Sequence, residues 1–261
     1  MPLFNSEAIV LKKTPFRDAD LIVTFFTPHE GKLSALARGA KRLRSRYGPS
    51  LEVLTHGTLI YFDREGKNLV NINSFDIIHS FQKIRENLFA SVSAQYLCEL
   101  ILGFIPERAA APQSFALLLA ALEAIQSTRD PEPILRIFEI RFLMETGFAP
   151  RMDGCVACGA EAGPFHFSLA QGGLVCGRCG FPDRQGRTVS PGAVRFWTQA
   201  CRASLDRLDR IRLEAGLNRE LAALTHGVLV SHLGRELRSL RFLRRLRRES
   251  GGLTDRQPDG T

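Results

Sequence analysis

The sequence predicts a multidomain α+β protein with an N-terminal five-stranded OB-fold barrel, followed by an α-helical domain that carries an inserted four-cysteine zinc finger. Three observations support this prediction: β-rich segments fill residues 1–80, a helical period begins after Ser80, and two cysteine pairs interrupt the helical part. The predicted domains are residues 1–80, residues 81–249 with the finger at 155–179, and a disordered tail at 250–261.

The first 80 residues contain five β-rich segments separated by turn residues such as Pro15, Pro28 and Gly31. The segments are SEAIVLKK, ADLIVTFFT, GKLSALAR, HGTLIYFD and LVNINSFDI. Strands this short and close together fit a small closed barrel. The OB-fold is the favoured answer, although an SH3-like barrel fits almost as well. In an OB-fold the run RGAKRLRSRYG, which starts at Arg38, joins the third and fourth strands.

Apolar residues then recur at spacings of three and four, which predicts one long amphipathic helix over 81–104 with Ser80 as N-cap. Further helices are predicted over Gln113–Ser127 and Ile134–Thr146, the second ended by Gly147.

Ser190 followed by proline predicts another helix start. More helix is expected over Leu217–Arg248, and a leucine stripe along one face is expected to be core. The stripe consists of Leu229, Leu233, Leu237, Leu240, Leu243 and Leu246.

The net charge of +8 is concentrated at the two ends of the chain. Residues 1–80 carry +3, residues 81–189 carry −1 and residues 190–261 carry +6. This asymmetry favours a polyanionic partner, either nucleic acid or an anionic membrane surface, over a charge that only maintains solubility. No apolar run approaches the roughly 20 residues that cross a bilayer, and no signal peptide is recognised, so a cytoplasmic protein is expected.

Four cysteines form two C-x2-C pairs separated by seventeen residues, a spacing typical of zinc sites. Each pair can reach one ion through a tight turn, for which Gly159, Gly177 and Gly180 are suited. Four thiolates leave no open position for water, so the predicted site is structural. The predicted ligands of one Zn²⁺ per chain are Cys155, Cys158, Cys176 and Cys179.

Disulfides or a redox pair are weaker alternatives, because a cytoplasmic chain rarely keeps disulfides and no βαβ setting is seen. His166 lies between the two pairs, but four cysteines already complete the coordination. Cys98 and Cys201 fall on helical patterns and are expected in the core.

No phosphate loop, nucleophile elbow, H-E-x-x-H motif or deaminase signature occurs in the sequence. No nucleophile is paired with a base at a suggestive spacing. The sequence therefore indicates a binding protein and not an enzyme.

The opening EAIVLKKTPFRDADLIVTFFTPHEGKLSALARGAKRLRSR, the helical centre and the paired cysteines together resemble the RecO family of bacterial recombination mediators. The resemblance runs over nearly the whole chain, and the opening is its most specific part. It implies an OB-fold and a helical domain with a zinc finger. It also implies a role in DNA repair by the RecF pathway.

In that role the resemblance implies binding to single- and double-stranded DNA, annealing of complementary strands and help in loading the RecA recombinase. The partners it implies are RecR and the acidic tail of the single-strand-binding protein SSB.

Cations beside the binding face of an OB-fold can follow a phosphate backbone, and arginine can hold phosphate oxygens in pairs. The predicted DNA-binding residues are Arg38, Lys41, Arg42, Arg44 and Arg46. Tyr47 can stack on a base, although a lone loop tyrosine is more often packed. Among strand aromatics such as Phe25, Tyr61 and Phe62, at least half are expected in the barrel core.

The seven arginines of the C-terminal RELRSLRFLRRLRR form a solvated helix face, a second DNA surface or a basic rim for the SSB tail. Two other functions remain as alternatives for the chain. One is a zinc-ribbon factor that binds RNA or a polymerase, and the other, ranked lowest, is a metalloenzyme.

Overall fold

The computed structural model describes residues 2–63, 68–180 and 187–254. The chain divides into two compact units. The first comprises the residues up to Gln126 together with those from Leu237 onward, and the second comprises Ser127–Glu236. Within the described ranges, no helix combines the length and apolar character needed to cross a membrane.

The first unit begins with a closed five-stranded barrel, which confirms the OB-fold prediction. Around the barrel the strand order is β1-β2-β3-β5-β4, and only the β3–β5 pair is parallel. The strands are β1 (Leu3–Phe16), β2 (Asp20–Thr27), β3 (Gly31–Ala37), β4 (His56–Phe62) and β5 (Val70–His79).

The barrel interior follows from the period-two alternation of its strands. In β3, for example, Leu33, Ala35 and Ala37 are buried and the residues between them are half-exposed. Phe25 lies inside the barrel with its ring centroid 5.0 Å from that of Phe75.

Tyr61 is also in the core, whereas Phe62 is half-exposed. Two of the three strand aromatics considered as base-stacking candidates, Phe25 and Tyr61, therefore serve the core.

The helical segment after the barrel is broken, so the prediction of one long helix over 81–104 is wrong. It forms α1 (Gln82–Glu86) and α2 (Leu88–Phe104), separated by Asn87 in extended conformation. The Asn87 side chain accepts a hydrogen bond from the Ala90 backbone, which makes Asn87 the N-cap of α2. The break leaves Leu88 exposed, although it belonged to the predicted apolar stripe.

Ser80 is not the N-cap of α1, because Phe81 occupies that position without a side-chain cap. Phe81 is completely buried and adopts a positive φ of 51°, so burial of its ring decides the backbone here. Arg85 of α1 then donates to the Val53 carbonyl and the Thr55 hydroxyl, both at 2.9 Å, and ties α1 to the barrel.

The segment Leu217–Arg248, where more helix was predicted, is divided between two helices. The segment forms α6 (Ala215–Leu233) and α7 (Arg238–Thr254), and Gly234 ends α6 in left-handed conformation. Helix α7 belongs to the first unit, together with α3 (Pro112–Ser127) up to Gln126.

The leucines at 237, 240 and 243 are buried, as expected of core positions. Helix α7 covers 250–254, residues predicted to belong to the tail, and residues 255–261 lie outside the described part of the chain.

The second unit is built around α4 (Glu132–Glu145), which is followed by Gly147 at φ 80° as predicted. A four-stranded sheet follows, with the order β6-β8-β7-β9. Its strands are β6 (Arg151–Cys155), β7 (Phe165–Ser168), β8 (Gly173–Cys176) and β9 (Arg187–Val189). Helix α5 (Pro191–Arg202) starts as predicted, because the Ser190 hydroxyl accepts from the Ala193 backbone at 3.1 Å. A short 3₁₀ helix (Leu205–Arg210) and α6 complete the unit.

A buried ion pair on α4 is hydrogen-bonded to α6 within this second unit. Arg136 and Glu139 are one turn apart on α4, and an Nη2–Oε1 distance of 2.8 Å separates them. Both are almost fully buried, at 2% and 1% exposed. Thr225 of α6 donates to the second Glu139 carboxylate oxygen at 2.5 Å, and Arg136 donates to the Thr225 hydroxyl at 3.3 Å.

Replacing Glu139 by alanine should lower the free energy of unfolding by roughly 3–5 kcal/mol, because the Arg136 guanidinium remains buried without its carboxylate. Denaturant unfolding checks this value. The double variant Arg136→Met with Glu139→Leu removes both charges at similar volume, so it should recover most of the loss. Equal destabilisation by the single and double variants would show that lost packing, and not an unpaired charge, is responsible.

Candidate nucleic-acid interface and metal centre

The basic run RGAKRLRSRYG lies in the connection between β3 and β4, as predicted from the sequence. Its backbone forms consecutive turns, since Arg42 N–H donates to Gly39, Ser45 N–H to Arg42 and Gly48 N–H to Ser45, at 3.0–3.3 Å. Such turns satisfy the backbone locally, which leaves the side chains free to point outward. All five predicted DNA-binding cations are exposed: Arg38, Lys41, Arg42, Arg44 and Arg46.

The connection is fixed to the barrel at two places. Near its start, the Asp20 carboxylate accepts from the Gly39 backbone at 2.8 Å, and Lys41 N–H donates to the Ala19 carbonyl at 2.9 Å. Near its middle, Tyr47 is only 6% exposed and belongs to the barrel core. The cations are therefore carried by an anchored segment.

Tyr47 packs instead of presenting its ring for base stacking. Its hydroxyl accepts from Arg46 Nη2 at 2.7 Å, and the same nitrogen donates to the Ile72 carbonyl at 3.0 Å. Arg46 is thus partly engaged with the barrel. Among the described residues, no carboxylate forms a salt bridge with the other four cations, Arg38, Lys41, Arg42 and Arg44.

The four cysteines of the two pairs converge in the second unit. Strands β6 and β8 pair in parallel and end in Cys155 and Cys176, and the turns after them carry Cys158 and Cys179. All four sulfur atoms lie within 4.8 Å of one another, with Cys158 and Cys176 Sγ 3.6 Å apart. A tetrahedral ion with metal–sulfur bonds of about 2.3 Å requires sulfurs about 3.8 Å apart. The four thiols therefore fit a metal ion.

Backbone geometry supports this fit. Gly159 N–H donates to Cys155 O at 2.8 Å, and Cys179 N–H donates to Cys176 O at 3.1 Å, so each pair closes a tight turn. Gly159 and Gly180 have positive φ, as the turns require, whereas Gly177 does not, so that part of the glycine prediction is wrong.

The thiols also differ in acidity. The Cys176 backbone N–H donates to Cys155 Sγ at 3.3 Å and lowers the pKa of Cys155 to about 6. The Cys179 backbone N–H likewise lowers the pKa of Cys176. The hydrogen bond with the Cys158 side chain raises the pKa of Cys179 to about 12. Thiolates held this close together repel, and a bound cation removes that repulsion.

The other predictions about cysteines concern disulfides and the two cysteines outside the cluster. All six cysteines are free, so the disulfide alternative finds no support among the described residues. Cys98 is fully buried on α2, and burial raises its pKa to about 12. Cys201 is half-buried on α5. The His166 ring lies 3.5 Å from the Thr188 hydroxyl, on the neighbouring strand β9.

One feature of the first unit was missed by sequence reasoning, a groove of about 560 Å³ beside β1, α2 and α7. Its apolar lining includes Val92, Leu102 and the exposed Phe242, and its cations are Lys12, Lys13 and Arg238. These residues are distant in sequence, so no local pattern brings them together. Arg238 and Phe242 belong to the arginine-rich C-terminal run that the sequence singles out.

Acidic groups beside the groove are already engaged. The Glu99 carboxylate accepts from the Arg238 and Ser239 backbone at 3.1 and 2.9 Å and caps α7, while Glu52 pairs with Lys13 at 2.7 Å.

The protein is thus an OB-fold protein with a helical part and a cysteine cluster of metal-binding geometry. The family model described as "Recombination protein O N terminal" matches residues 1–81, and "Recombination protein O C terminal" matches residues 85–241. The chain belongs to the RecO family of DNA repair proteins.

Curated relatives agree over nearly the full chain. A protein named DNA repair protein RecO from Symbiobacterium thermophilum is 34% identical over 252 residues, covering 95% of this chain and 99% of the relative. Proteins of the same name from Syntrophus aciditrophicus and Desulforudis audaxviator are 34% and 33% identical, covering 94% of this chain in each case and 96% and 98% of the relatives.

Proposed function

We propose that the protein is a recombination mediator of the RecF pathway that acts by binding and not by catalysis. It binds single- and double-stranded DNA, anneals complementary strands and, with RecR, helps to load RecA onto SSB-coated single strands. It works at the nucleoid, in the cytoplasm. The observation that carries the proposal is the anchored β3–β4 connection, which presents four exposed cations without carboxylate partners among the described residues.

The chemistry of this connection suits a phosphate backbone. Arg38, Lys41, Arg42 and Arg44 follow one another on a single segment, so successive phosphates of one strand can be neutralised in turn. Because the segment is anchored at Gly39 and Tyr47, little ordering entropy is lost on binding. The same cations recognise a duplex through its phosphates, without base information.

The charge-reversing variant Arg42→Glu with Arg44→Glu tests this surface. It should weaken single-stranded DNA binding by at least roughly tenfold, because two attractive phosphate contacts become repulsive. Fluorescence anisotropy measures the affinity. The melting temperature should stay the same, since both side chains are exposed and in a loop.

The matched control is Lys83→Glu with Arg129→Glu, which makes the same charge change at two exposed positions of the neutral middle segment. Equal losses in both double variants would mean that net charge alone, and not this connection, sets the affinity. Parallel titrations with RNA of the same sequence distinguish the DNA mediator from an RNA-binding factor.

The mediator role itself is tested by annealing complementary strands coated with SSB. The protein should accelerate annealing, and the Arg42/Arg44 variant should not. If the unmodified protein left annealing at the rate measured without protein, the proposal would be contradicted.

We further propose that the groove beside β1, α2 and α7 takes the acidic tail of SSB. Charge complementarity supports this choice of occupant, because Lys12 and Arg238 are exposed cations at an apolar lining that includes Val92 and Phe242. Carboxylates of an acidic tail can pair with the cations while an apolar side chain enters the groove.

The variant Lys12→Glu with Arg238→Glu should therefore weaken binding of the SSB tail peptide by at least roughly tenfold, since charge-assisted hydrogen bonds are lost. Calorimetric titration of the peptide measures this. Phe242→Ser tests the apolar half of the groove, and the Lys83/Arg129 variant again serves as control. An unchanged peptide affinity in the charge-reversed and Phe242 variants would place the tail elsewhere.

The metal proposed for the cysteine cluster is zinc, held by Cys155, Cys158, Cys176 and Cys179 in a closed structural site. A four-thiolate set is typical of structural zinc. When bound, the ion supplies cross-linking of the β6 and β8 ends and no reactive position.

A further inference from the structure

Leu43 stands apart from every other large apolar side chain in the described chain. Its relative exposure is 107%, so none of its surface is covered, although it lies between Arg42 and Arg44 in the β3–β4 connection. Exposing a leucine side chain to water is unfavourable, and a leucine without packing contacts contributes nothing to the barrel core.

The backbone places Leu43 at the outer tip of a tight turn. Ser45 N–H donates to the Arg42 carbonyl at 3.0 Å, so Leu43 and Arg44 occupy the two corner positions. The preceding turn, from Gly39 to Arg42, and the following one, from Ser45 to Gly48, brace it on both sides.

The segment that carries this tip is anchored to the barrel at Gly39 and Tyr47. Gly39 is held by Asp20, and Tyr47 is buried in the core, so the segment between them is short and tethered at both ends. The leucine is uncovered at the tip of this anchored segment, so its apolar surface is available to a partner.

We propose that Leu43 contacts the face of an unstacked nucleobase and so favours single strands over duplex. This inference rests on the proposed DNA-binding function. The flanking Arg42 and Arg44 hold phosphates, and the apolar surface nearest to a phosphate backbone is a base face. In a single strand these faces are accessible, whereas in a duplex they are covered by stacking. Apolar side chains that enter base stacks are known as wedges in other DNA-binding proteins.

The test compares Leu43→Ser with Leu43→Met on three ligands: an oligothymidine, an abasic strand of the same length and a duplex. Leu43→Ser should bind the oligothymidine about fivefold more weakly, the factor expected when part of a leucine side chain no longer leaves water. Its affinity for the abasic strand and for the duplex should be unchanged. Leu43→Met keeps the apolar surface and should stay within about twofold of the unmodified protein on all three.

Equal losses of Leu43→Ser on the abasic strand and the oligothymidine would overturn the base contact, and so would no loss on either. Vesicles of phosphatidylglycerol and phosphatidylcholine are titrated as a separate, fourth ligand. A loss of Leu43→Ser binding confined to these vesicles would also overturn the base contact, and would assign the leucine to an anionic membrane surface. Stability is not in question, because a fully exposed side chain makes no packing contacts.

The result of this test can be distinguished from the result of the test of the proposed function. The Arg42/Arg44 variant reports phosphate contacts through its effect on all three ligands, including the abasic strand. Leu43→Ser reports base contacts through the difference between two strands of equal charge, so its salt dependence should match that of the unmodified protein.

Discussion

Removal of the proposed zinc should unfold the β6–β9 sheet, because the four strands are short and Cys155 and Cys176 lie at the ends of β6 and β8. The metal-binding free energy of such four-thiolate sites is on the order of 10 kcal/mol, and it is expressed as folding free energy. Purified protein should contain one zinc per chain by elemental analysis. Cys176→Ser should lose the metal and the cooperative melting of the second unit.

Cys201→Ser is the matched control, since this half-buried cysteine lies on α5 and outside the cluster. It should keep one zinc and nearly the full melting temperature. Intrinsic DNA affinity should change little in Cys176→Ser, because the proposed DNA surface belongs to the barrel. Protein with far less than one metal per chain and an unaltered melting transition would refute the structural role.

Replacing all five cations of the β3–β4 connection by alanine should make the salt dependence of single-strand binding shallower by about three units of log affinity per log salt. Each cation that neutralises one phosphate of a single strand contributes roughly 0.7 to this slope. The replaced residues are Arg38, Lys41, Arg42, Arg44 and Arg46.

Most of this change should already appear in a four-fold variant that retains Arg46, because Arg46 donates to the Tyr47 hydroxyl and the Ile72 carbonyl. All base sequences should be weakened alike, since phosphate contacts do not distinguish bases. A slope preserved in the five-fold variant would mean that the connection is merely solvated. The exposed arginines of α7, such as Arg241 and Arg245, would then be the next surface to test.

Local patterns predicted the barrel and the clustering of the four cysteines well, because both depend on short-range spacing. Alternation in GKLSALA fixes which side chains of β3 enter the barrel, and C-x2-C spacing closes a turn whatever the surrounding fold. The helix start at Ser190 was equally local, since one hydroxyl and one proline define it.

Features that depend on competition between burial and local conformational preference could not be predicted from the sequence. The apolar period continues smoothly across Asn87, yet its side chain caps α2 and interrupts the helix. Tyr47, a candidate for base stacking, is drawn into the barrel core. Arg136 and Glu139 look like surface residues by type, and their mutual pairing together with the hydrogen bonds to Thr225 allows them to be buried. The groove lined by Lys12 and Phe242 requires segments far apart in sequence, which no local pattern encodes.

The assignment of α7 to the first unit has a consequence for folding during translation. Glu99 of α2 caps the start of α7, and Arg247 lies 5.9 Å from the ring centre of Phe89, so α2 gains these partners only when the last helix is made. At 5–20 residues per second, the ribosome needs roughly 10–30 s to proceed from α2 to α7. The second unit, Ser127–Glu236, emerges in that interval. A nascent chain therefore displays the α7-facing side of α2 for many seconds, a window in which chaperone capture and aggregation compete with completion of the first unit.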